Sequence, residues 1–255
     1  MTTQTSTVLV VGATGSIGRL VVAEAIRSGY AVRALVRDPG RARGLPPQAQ
    51  QVVGDLTRPN AMLDAVDGID AIVFTQGSHG SAEGDAERVD YGGVRNALFA
   101  LRGRNVRVAL MTAIGVTKRT EGHDWKRRAE RLVRASGLPY TIVRPGWFDY
   151  NGRDEQRLVL LQGDTRHAGD PSDGAVARSQ IAEVLVSSLT STAAERKTFE
   201  LVAEHGSLTQ DFDALFAPLD SDPPGALDAV RDIPNLPLSR EPERVRKDLD
   251  QITAR

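Results

Sequence analysis

Short apolar segments alternate with amphipathic ones along most of the chain, at the spacing of strands joined by helices. The apolar run Val8–Val11 is followed by a glycine-containing turn and then by a segment with Leu20, Val21 and Val22, which Gly29 ends. Further strands are predicted at residues 31–36, 51–53, 70–74, 106–111, 140–143, 157–161 and 198–202. Further helices are predicted at residues 85–102, 125–136 and 179–189.

This alternation predicts an α/β protein with a Rossmann-like, doubly wound parallel sheet and helices on both faces, because parallel strands need crossover connections. We expect a single domain over residues 1–255, with its core at about residues 6–205. Residues 146–180 are expected on the substrate side of the sheet. The proline-rich residues 206–255 are expected to form a small C-terminal lid or tail over that side.

Composition excludes several kinds of site. The 255 residues include no cysteine and only four scattered histidines, so disulfides, thiolate metal sites and cysteine nucleophiles are excluded and no metal is expected. The N-terminal residues are polar, and no apolar run approaches the roughly 20 residues that span a bilayer. We therefore expect a cytoplasmic protein with no membrane partner.

Charge is uneven along the chain although the net charge is only −1. Residues 102–134 carry ten Lys or Arg against three Asp or Glu, whereas residues 207–255 carry six against ten. We interpret these stretches as a solvated helix face and an acidic tail, because no aromatic residues interleave with the arginines as nucleic-acid grooves require. No nucleic-acid partner is expected. The expected partner is a small-molecule substrate. The sequence does not decide between a monomer and a homodimer.

The chemistry begins at the turn after the first strand, where the sequence reads Gly12-Ala-Thr-Gly-Ser-Ile-Gly18. A strand that delivers the chain to a helix N-terminus presents free backbone N–H groups and the positive end of the helix dipole to a pyrophosphate. Gly12 would permit the tight turn, Gly15 the close approach of a phosphate, and Gly18 the contact between helix and strand. The GxxGxxG spacing in this position predicts a dinucleotide site.

The tip of the second strand bears on the choice of nicotinamide cofactor. A carboxylate there would bind the ribose 2′-hydroxyl of NAD, whereas a guanidinium favours the 2′-phosphate of NADP. Arg37 occupies this tip and Asp38 is expected to turn away, so NADP is predicted in preference to NAD. Arg33 would share a sheet face with Arg37 and is a weaker candidate for a second cationic contact.

Two further positions are candidates. Asp55 follows the third strand, where its carboxylate could either contact adenine or cap the turn that begins at Thr57, and the residues leave both roles open. Lys126 shares a helix face with the apolar residues Ala129 and Val133, which is unusual for a lysine. Its ammonium is therefore expected to point toward the ligand edge of the sheet, although a snorkelling surface lysine is the alternative.

Several motifs in the same order resemble the atypical short-chain dehydrogenase/reductases, a family of NAD(P)-binding proteins that includes epimerase/dehydratase-like and NmrA-like members. The motifs are residues 10–18, the strand end at 32–38, residues 54–56 and residues 136–146, and the resemblance covers about residues 6–203. It implies cofactor contacts from Gly12, Thr14, Gly15, Ser16, Ile17, Gly18, Arg37, Asp55, Leu56, Thr75, Lys126 and Pro145. It places Asp55 and Leu56 at the adenine, Thr75 at the adenosine ribose, and Lys126 with Pro145 at the nicotinamide.

The chain departs from this family at one catalytic position. Active short-chain dehydrogenases carry a tyrosine four residues before the lysine, and its phenol transfers the proton that accompanies hydride transfer. Here that position is Gly122, while Thr112 matches the family's serine at the end of the fifth strand. The candidate catalytic residues are therefore Thr112, Lys126 and Tyr150, with His123 as a further helper.

Three functions follow from this combination. The first is an NADP(H)-dependent oxidoreductase that transfers hydride to a small electron-poor acceptor such as a quinone, a flavin or a conjugated carbonyl, without the usual tyrosine acid. The second is a non-catalytic NADP-binding regulatory protein. The third is a sugar-nucleotide epimerase or dehydratase, which the missing tyrosine disfavours because those reactions remove a proton from a hydroxyl.

Overall fold

The computed structural model describes residues 5–78 and 82–254. Its strands are β1 (Thr7–Val11), β2 (Ala31–Val36), β3 (Gln50–Val53), β4 (Ala71–Phe74), β5 (Arg107–Met111), β6 (Tyr140–Pro145), β7 (Trp147–Phe148), β8 (Arg157–Leu161), β9 (Ala175–Val176) and β10 (Lys197–Glu204). Its α-helices are α1 (Gly18–Arg27), α2 (Ala61–Ala65), α3 (Gly92–Leu101), α4 (Glu121–Ala135), α5 (Arg178–Ser187), α6 (Phe212–Phe216) and α7 (Glu243–Thr253).

Eight of these strands form one sheet in the order β3-β2-β1-β4-β5-β6-β10-β8, and β7 pairs with β9 in a separate two-stranded sheet. Pairing in the large sheet is parallel except between β10 and β8, which run antiparallel. The strand order reverses between β1 and β4, and this is the switch point at which ligands bind in doubly wound sheets. The predicted Rossmann-like α/β fold is confirmed.

Some element boundaries differ from those predicted. The helix predicted at 85–102 begins with a π-helical segment, Ala86–Tyr91, before α3 continues it. Helix α4 begins at Glu121, four residues earlier than predicted, because the Thr120 hydroxyl caps it by accepting a hydrogen bond from the His123 backbone N–H at 3.3 Å. The C-terminal segment, for which no helix was predicted above, includes the 11-residue helix α7.

The strands separate two apolar layers. Side chains of β1 alternate between them: Val8 and Val10 pack with α1 and α5, whereas Leu9 and Val11 pack with α3, α4 and α7. Burial of both faces explains why the strands read as continuous apolar runs. Among the described residues, no helix is long and apolar enough to cross a membrane.

The arginines of α4 are buried, contrary to the interpretation of this stretch as a solvated face. Arg131 donates to the Asp228 carboxylate at 2.7 and 2.9 Å and to Glu241 at 2.7 Å, and Arg128 donates to Glu241 at 2.6 Å. Arg134 likewise reaches Asp222 at 3.1 Å. The basic and acidic stretches of the sequence therefore neutralise each other within one chain. Their pairing could not be predicted from the sequence, because the two stretches lie about 90 to 110 residues apart.

These ion pairs also decide where the C-terminal segment lies. Residues 222–241 cover the outer face of α4, and α7 packs against α3 and α4. The acidic side chains of this segment thus hold it against α4, and its role as a lid or tail stays a prediction.

We predict that Arg131→Ala lowers the free energy of unfolding by about 3–5 kcal/mol, because it breaks buried ion pairs with two carboxylates at once. Asp228 would keep only Arg127 as a partner, and Glu241 only Arg128. The matched control is Arg231→Ala, which removes an ion pair with Asp220 whose partners are more than half exposed. It should cost less than about 1 kcal/mol. Urea unfolding of both variants measures the difference, and equal costs would contradict the structural role of the buried pairs.

A second prediction concerns Glu200, a buried residue of β10. Burial raises its pKa to about 8, with a further contribution from the Asp164 carboxylate, despite the nearby Arg144 guanidinium. The folded protein thus binds this proton more tightly than the unfolded chain, so the associated stability is complete below about pH 4.5 and is lost as pH rises through about 8.

We therefore expect ionisation of Glu200 to lower the free energy of unfolding of the wild type by up to about 1.4 kcal/mol per pH unit between about pH 4.5 and pH 8. Glu200→Gln should lack this pH dependence. Glu204→Gln, on the same strand but half-exposed, should retain it. Chemical denaturation between pH 5 and pH 8 measures the slopes. Parallel pH profiles for wild type and Glu200→Gln would show that this carboxyl is ionised throughout the range.

Candidate functional site

The glycine turn between β1 and α1 has the geometry that a dinucleotide site needs. Gly12 has φ +82°, and a Cβ there would lie 2.7 Å from the Gln76 backbone nitrogen. A Cβ at Gly18 would overlap the Gly12 carbonyl oxygen, so this position requires the close contact of helix and turn. At Gly15 a Cβ would meet only that same carbonyl, at 3.2 Å, and its other side is open.

Three neighbouring cavities lie along the carboxyl edge of the sheet. The first cavity, of about 590 Å³, lies between the glycine turn and the start of α4. The second cavity, of about 400 Å³, extends from the glycine turn to the tip of β2. The third cavity, of about 380 Å³, lies beside β7. The first shares Gly15, Thr75 and Gln76 with the second, and Ala113, His123 and Phe148 with the third.

The second cavity gathers several of the predicted cofactor residues. They are Gly12, Thr14, Gly15, Arg37, Leu56 and Thr75. Arg41 and Arg88 line it as well, and the Arg88 guanidinium pairs with Asp85. Asp38 turns away as predicted, since its carboxylate caps the following turn by accepting from the Gly40 N–H at 2.8 Å. Arg33 reaches the backbone of Asp67 and the Gln50 side chain, at the opposite end of the strand.

Asp55 performs the capping role. Its carboxylate accepts hydrogen bonds from the backbone N–H and the hydroxyl of Thr57, at 2.9 and 2.8 Å. Leu56 and Thr57 line the second cavity, but Asp55 is not among its lining residues. The contact with adenine stays a prediction.

The first cavity contains Ser16, Ile17, Thr75, Thr112 and Lys126 from the predicted set. Lys126 is only 21% exposed, and its ammonium pairs with the buried Asp90 carboxylate at 2.8 Å. The same carboxylate accepts from the backbone N–H and hydroxyl of Ser78 at 3.1 and 2.8 Å. Asp90 therefore holds Lys126 at the cavity wall, as the position of Lys126 on an apolar helix face had indicated.

Thr112 is backed by a buried ion-pair network. Its hydroxyl lies 2.7 Å from Glu130, which also accepts from Arg144 at 2.7 and 3.0 Å and from Arg134 at 3.3 Å. Burial alone would raise the pKa of Glu130, but the Arg144 and Arg134 guanidinium groups outweigh it and lower that pKa to about 2. Glu130 is thus an ionised carboxylate beneath the cavity floor.

Position 122 is open, as the absence of a side chain implied: a Cβ at Gly122 would meet nothing within 4 Å, and the residue lines the first cavity. His123 lines the first and third cavities. Its Nδ1 is buried without a hydrogen-bond partner. Burial lowers its pKa despite a hydrogen bond with the Lys118 backbone, and the Lys126 ammonium lowers it further. The imidazole is therefore neutral near pH 7.

The third cavity is mostly apolar. Ile114, Pro145, Trp147 and Phe148 form its walls, and His167 and Lys118 lie at its edge. Pro145 lines this cavity, and its expected position beside the nicotinamide stays a prediction. Tyr150 is not brought together with Thr112 and Lys126: it is 64% exposed and its ring packs edge-on against Trp147 at 5.9 Å between centroids. Its catalytic role stays a prediction that this position does not support.

Sequence reasoning missed Asp90, Glu130 and Gln76. Asp90 lies 36 residues before Lys126, with no local pattern that joins them. Gln76 is buried between the first and second cavities, and its Oε1 has no hydrogen-bond partner. For Glu130 a weak signal exists, since it is the one acid within an arginine-rich helix segment and lies four residues before Arg134.

Comparison with known proteins agrees with this geometry. The family model described as NAD(P)H-binding matches residues 12–192. Sanguinarine reductase of Eschscholzia californica is 26% identical over 83% of this chain and 95% of its own length. A protein of Bacillus subtilis named as an uncharacterized sugar epimerase is 31% identical over 76% of this chain and 92% of its own length.

Among solved structures, a short-chain dehydrogenase/reductase of Veillonella parvula in complex with NADP superposes with a TM-score of 0.61. It is 16% identical and covers 82% of this chain and all of its own, so it shows the shared fold. The glycine turn, the switch point of the sheet and the family match over most of the chain lead to one conclusion: this chain belongs to the NAD(P)H-binding family of atypical short-chain dehydrogenase/reductases.

Proposed function

We propose that this protein is an NADP(H)-dependent oxidoreductase that transfers hydride to a small electron-poor acceptor, such as a quinone, a flavin or a conjugated carbonyl. The observation that carries the proposal is the continuity of the cavities. The first cavity runs from the glycine turn to Lys126 and Thr112, and it shares the lining residues Ala113, His123 and Phe148 with the apolar third cavity. A flat acceptor in the third cavity would therefore face the nicotinamide end of a bound dinucleotide.

The described residues fit such a dinucleotide. Gly15 leaves open space beside the N-terminus of α1, where backbone N–H groups favour phosphate. The unpartnered Oε1 of Gln76 at the junction of the two cavities suits a donor group of a ligand. Arg37, with Arg41 beside it, would hold the 2′-phosphate, and Thr75 and Leu56 would contact the adenosine portion.

NADPH supplies the hydride when bound, so the protein's own contribution is to bind, orient and exclude water. Asp90 holds the Lys126 ammonium at the wall of the first cavity, where it would contact the ribose beside the nicotinamide. Glu130 fixes the Thr112 hydroxyl at the cavity floor. Ile114, Trp147 and Phe148 shield the acceptor from water.

Two alternatives remain from the sequence. The open space at Gly122 favours a non-catalytic NADP-binding regulatory protein, because no side chain there can transfer a proton. The similarity to the protein named as a sugar epimerase is the observation that favours an epimerase or dehydratase. The missing side chain at position 122 disfavours that function. We expect no nucleic-acid or membrane partner and a cytoplasmic location, and a homodimer stays open.

We predict that Arg37→Ala weakens NADPH binding about 10- to 100-fold and leaves NADH binding unchanged, since it removes a charge-assisted contact that only the 2′-phosphate makes. Arg33→Ala on the same strand is the matched control and should leave the preference intact. Titration calorimetry with NADPH and NADH measures the two affinities for the wild type and both variants. If Arg37→Ala and wild type bind NADPH equally, the guanidinium is an ordinary surface group.

Turnover tests the oxidoreductase directly. We expect NADPH oxidation with at least one member of a panel of benzoquinone, FMN and an unsaturated aldehyde. Lys126→Met should lower kcat/KM about 10- to 100-fold through loss of orientation, whereas Lys247→Met, a surface change on α7, should not. Tyr150→Phe should change kcat less than about 2-fold because the ring is exposed. Tight NADPH binding with no turnover would favour the regulatory protein.

A further inference from the structure

We propose that Arg178, the first residue of α5, is a further cofactor-binding residue, whose guanidinium contacts the phosphate group on the nicotinamide side of the dinucleotide. The inference rests on the cofactor binding in the proposed function, and it requires neither hydride transfer nor a particular acceptor. Four contacts of Arg178 support it. Together they leave one edge of the guanidinium open beside the glycine turn.

Arg178 lies against the glycine turn although the two are far apart in the sequence. Its Nε donates to the Ser16 hydroxyl at 3.2 Å, across 162 positions of the chain. Ser16 is exposed, and it lines the first cavity, which extends to Lys126. The preceding part of the turn, Gly12 and Thr14, lines the second cavity instead. Arg178 therefore flanks the half of the turn that is nearer to the expected nicotinamide.

Two neighbouring residues hold the guanidinium in one orientation. One oxygen of the Asp149 carboxylate accepts from the Arg178 backbone N–H at 2.9 Å, and the other oxygen pairs with Nη1. Asp149 itself has φ +61°, a left-handed conformation that is uncommon outside glycine. Phe148 supports the flat face of the guanidinium, with Cζ 5.1 Å from the ring centroid. A side chain that is already oriented loses less entropy when it binds a ligand.

The open edge of the guanidinium is the one that suits a phosphate. Asp149 occupies Nη1, whereas Nη2 forms no hydrogen bond with residues 5–78 and 82–254, and Nε has only the Ser16 hydroxyl. Nε and Nη2 carry the parallel pair of N–H donors with which arginine binds two oxygens of one phosphate. The Arg178 side chain is 33% exposed, so a ligand can reach this edge.

The nicotinamide half of the site has little other positive charge for a phosphate. No arginine is among the described residues that line the first cavity, and the Lys126 ammonium pairs with Asp90. Arg19, at the start of α1, donates instead to the carbonyls of Thr14 and Arg41. The N-terminus of α1 contributes backbone N–H groups and a partial charge. Arg178 adds a charged fork of donors, although Asp149 offsets part of its charge from the Nη1 side.

The substitution Arg178→Met separates this role from a purely structural link between α5 and the chain after β7. We expect it to weaken binding of NADPH and of 2′-phospho-ADP-ribose about 5- to 30-fold each, because both contain the nicotinamide-side phosphate. Binding of 2′,5′-ADP, which lacks that phosphate, should change less than about 2-fold. NADH should lose the same factor as NADPH, unlike the loss expected for Arg37→Ala. Titration calorimetry at low ionic strength measures these affinities.

Two further variants test the chemistry of the contact. Arg178→Lys keeps the charge but not the fork, so we expect it to weaken NADPH binding only about 2- to 5-fold. Arg27→Met removes the same charge at the opposite end of α1, where Arg27 pairs with Glu24, and it should leave all affinities unchanged. Added salt should narrow the difference between wild type and Arg178→Met, because the contact is between charges.

Two outcomes would overturn the inference and leave the proposed function intact. Arg178→Met could bind NADPH and 2′-phospho-ADP-ribose as tightly as the wild type does, or it could lose as much affinity for 2′,5′-ADP as for NADPH. In either case the guanidinium only links α5 to Asp149. If the wild type binds neither NADPH nor NADH, the proposed function fails together with the inference. Absence of turnover would affect the proposed function alone, because these assays measure binding.

Discussion

The buried carboxylate of Glu130 joins the parts of this molecule that matter for its function. It lies on α4 beneath the carboxyl edge of the sheet, where it accepts from Arg144 of β6, from Arg134 one turn along its own helix, and from Thr112 at the end of β5. A buried ion is tolerated only when its hydrogen-bonding capacity is satisfied. The helix, two strands and the cavity floor must therefore keep their relative positions.

The same electrostatic requirement extends outward to the C-terminal segment. Arg134 and Arg144 have further guanidinium hydrogens, which Asp222 and Asp232 accept. Arg131 and Arg128 extend the network to Asp228 and Glu241. A segment rich in prolines is thus held against α4 by charge, in addition to the apolar packing of α7, and it covers a row of arginines that the helix would otherwise expose. The site gains a rigid floor from this arrangement, while its open side is left to residues 146–169.

The network also explains how the site departs from active short-chain dehydrogenases. With a side chain absent at position 122 and the Thr112 hydrogen directed to Glu130, neither of these two positions supplies an acid to the cavity. Orientation of an acceptor that is already electron-poor is what such a site can supply. Under the proposed function the cofactor would carry the hydride chemistry, so the loss of one catalytic side chain would not by itself prevent reduction.

The sequence by itself determined the alternation of strands and helices, the glycine turn, the position of Arg37 at the tip of β2 and the inward direction of Lys126. These features depend on local periodicity and on the sterics of glycine, which neighbouring residues reveal. Only the tertiary structure decided that Asp90 holds Lys126, that Glu130 directs Thr112, that Tyr150 lies apart from both, and that the basic and acidic stretches pair with each other. The side chains that pair in these contacts are between 18 and about 110 residues apart in the sequence. Tyr150 is the opposite case, because the structure separates it from residues with which it had been grouped. Buried charges are compensated by groups that are close in space, and closeness in space cannot be read from neighbouring positions in the chain.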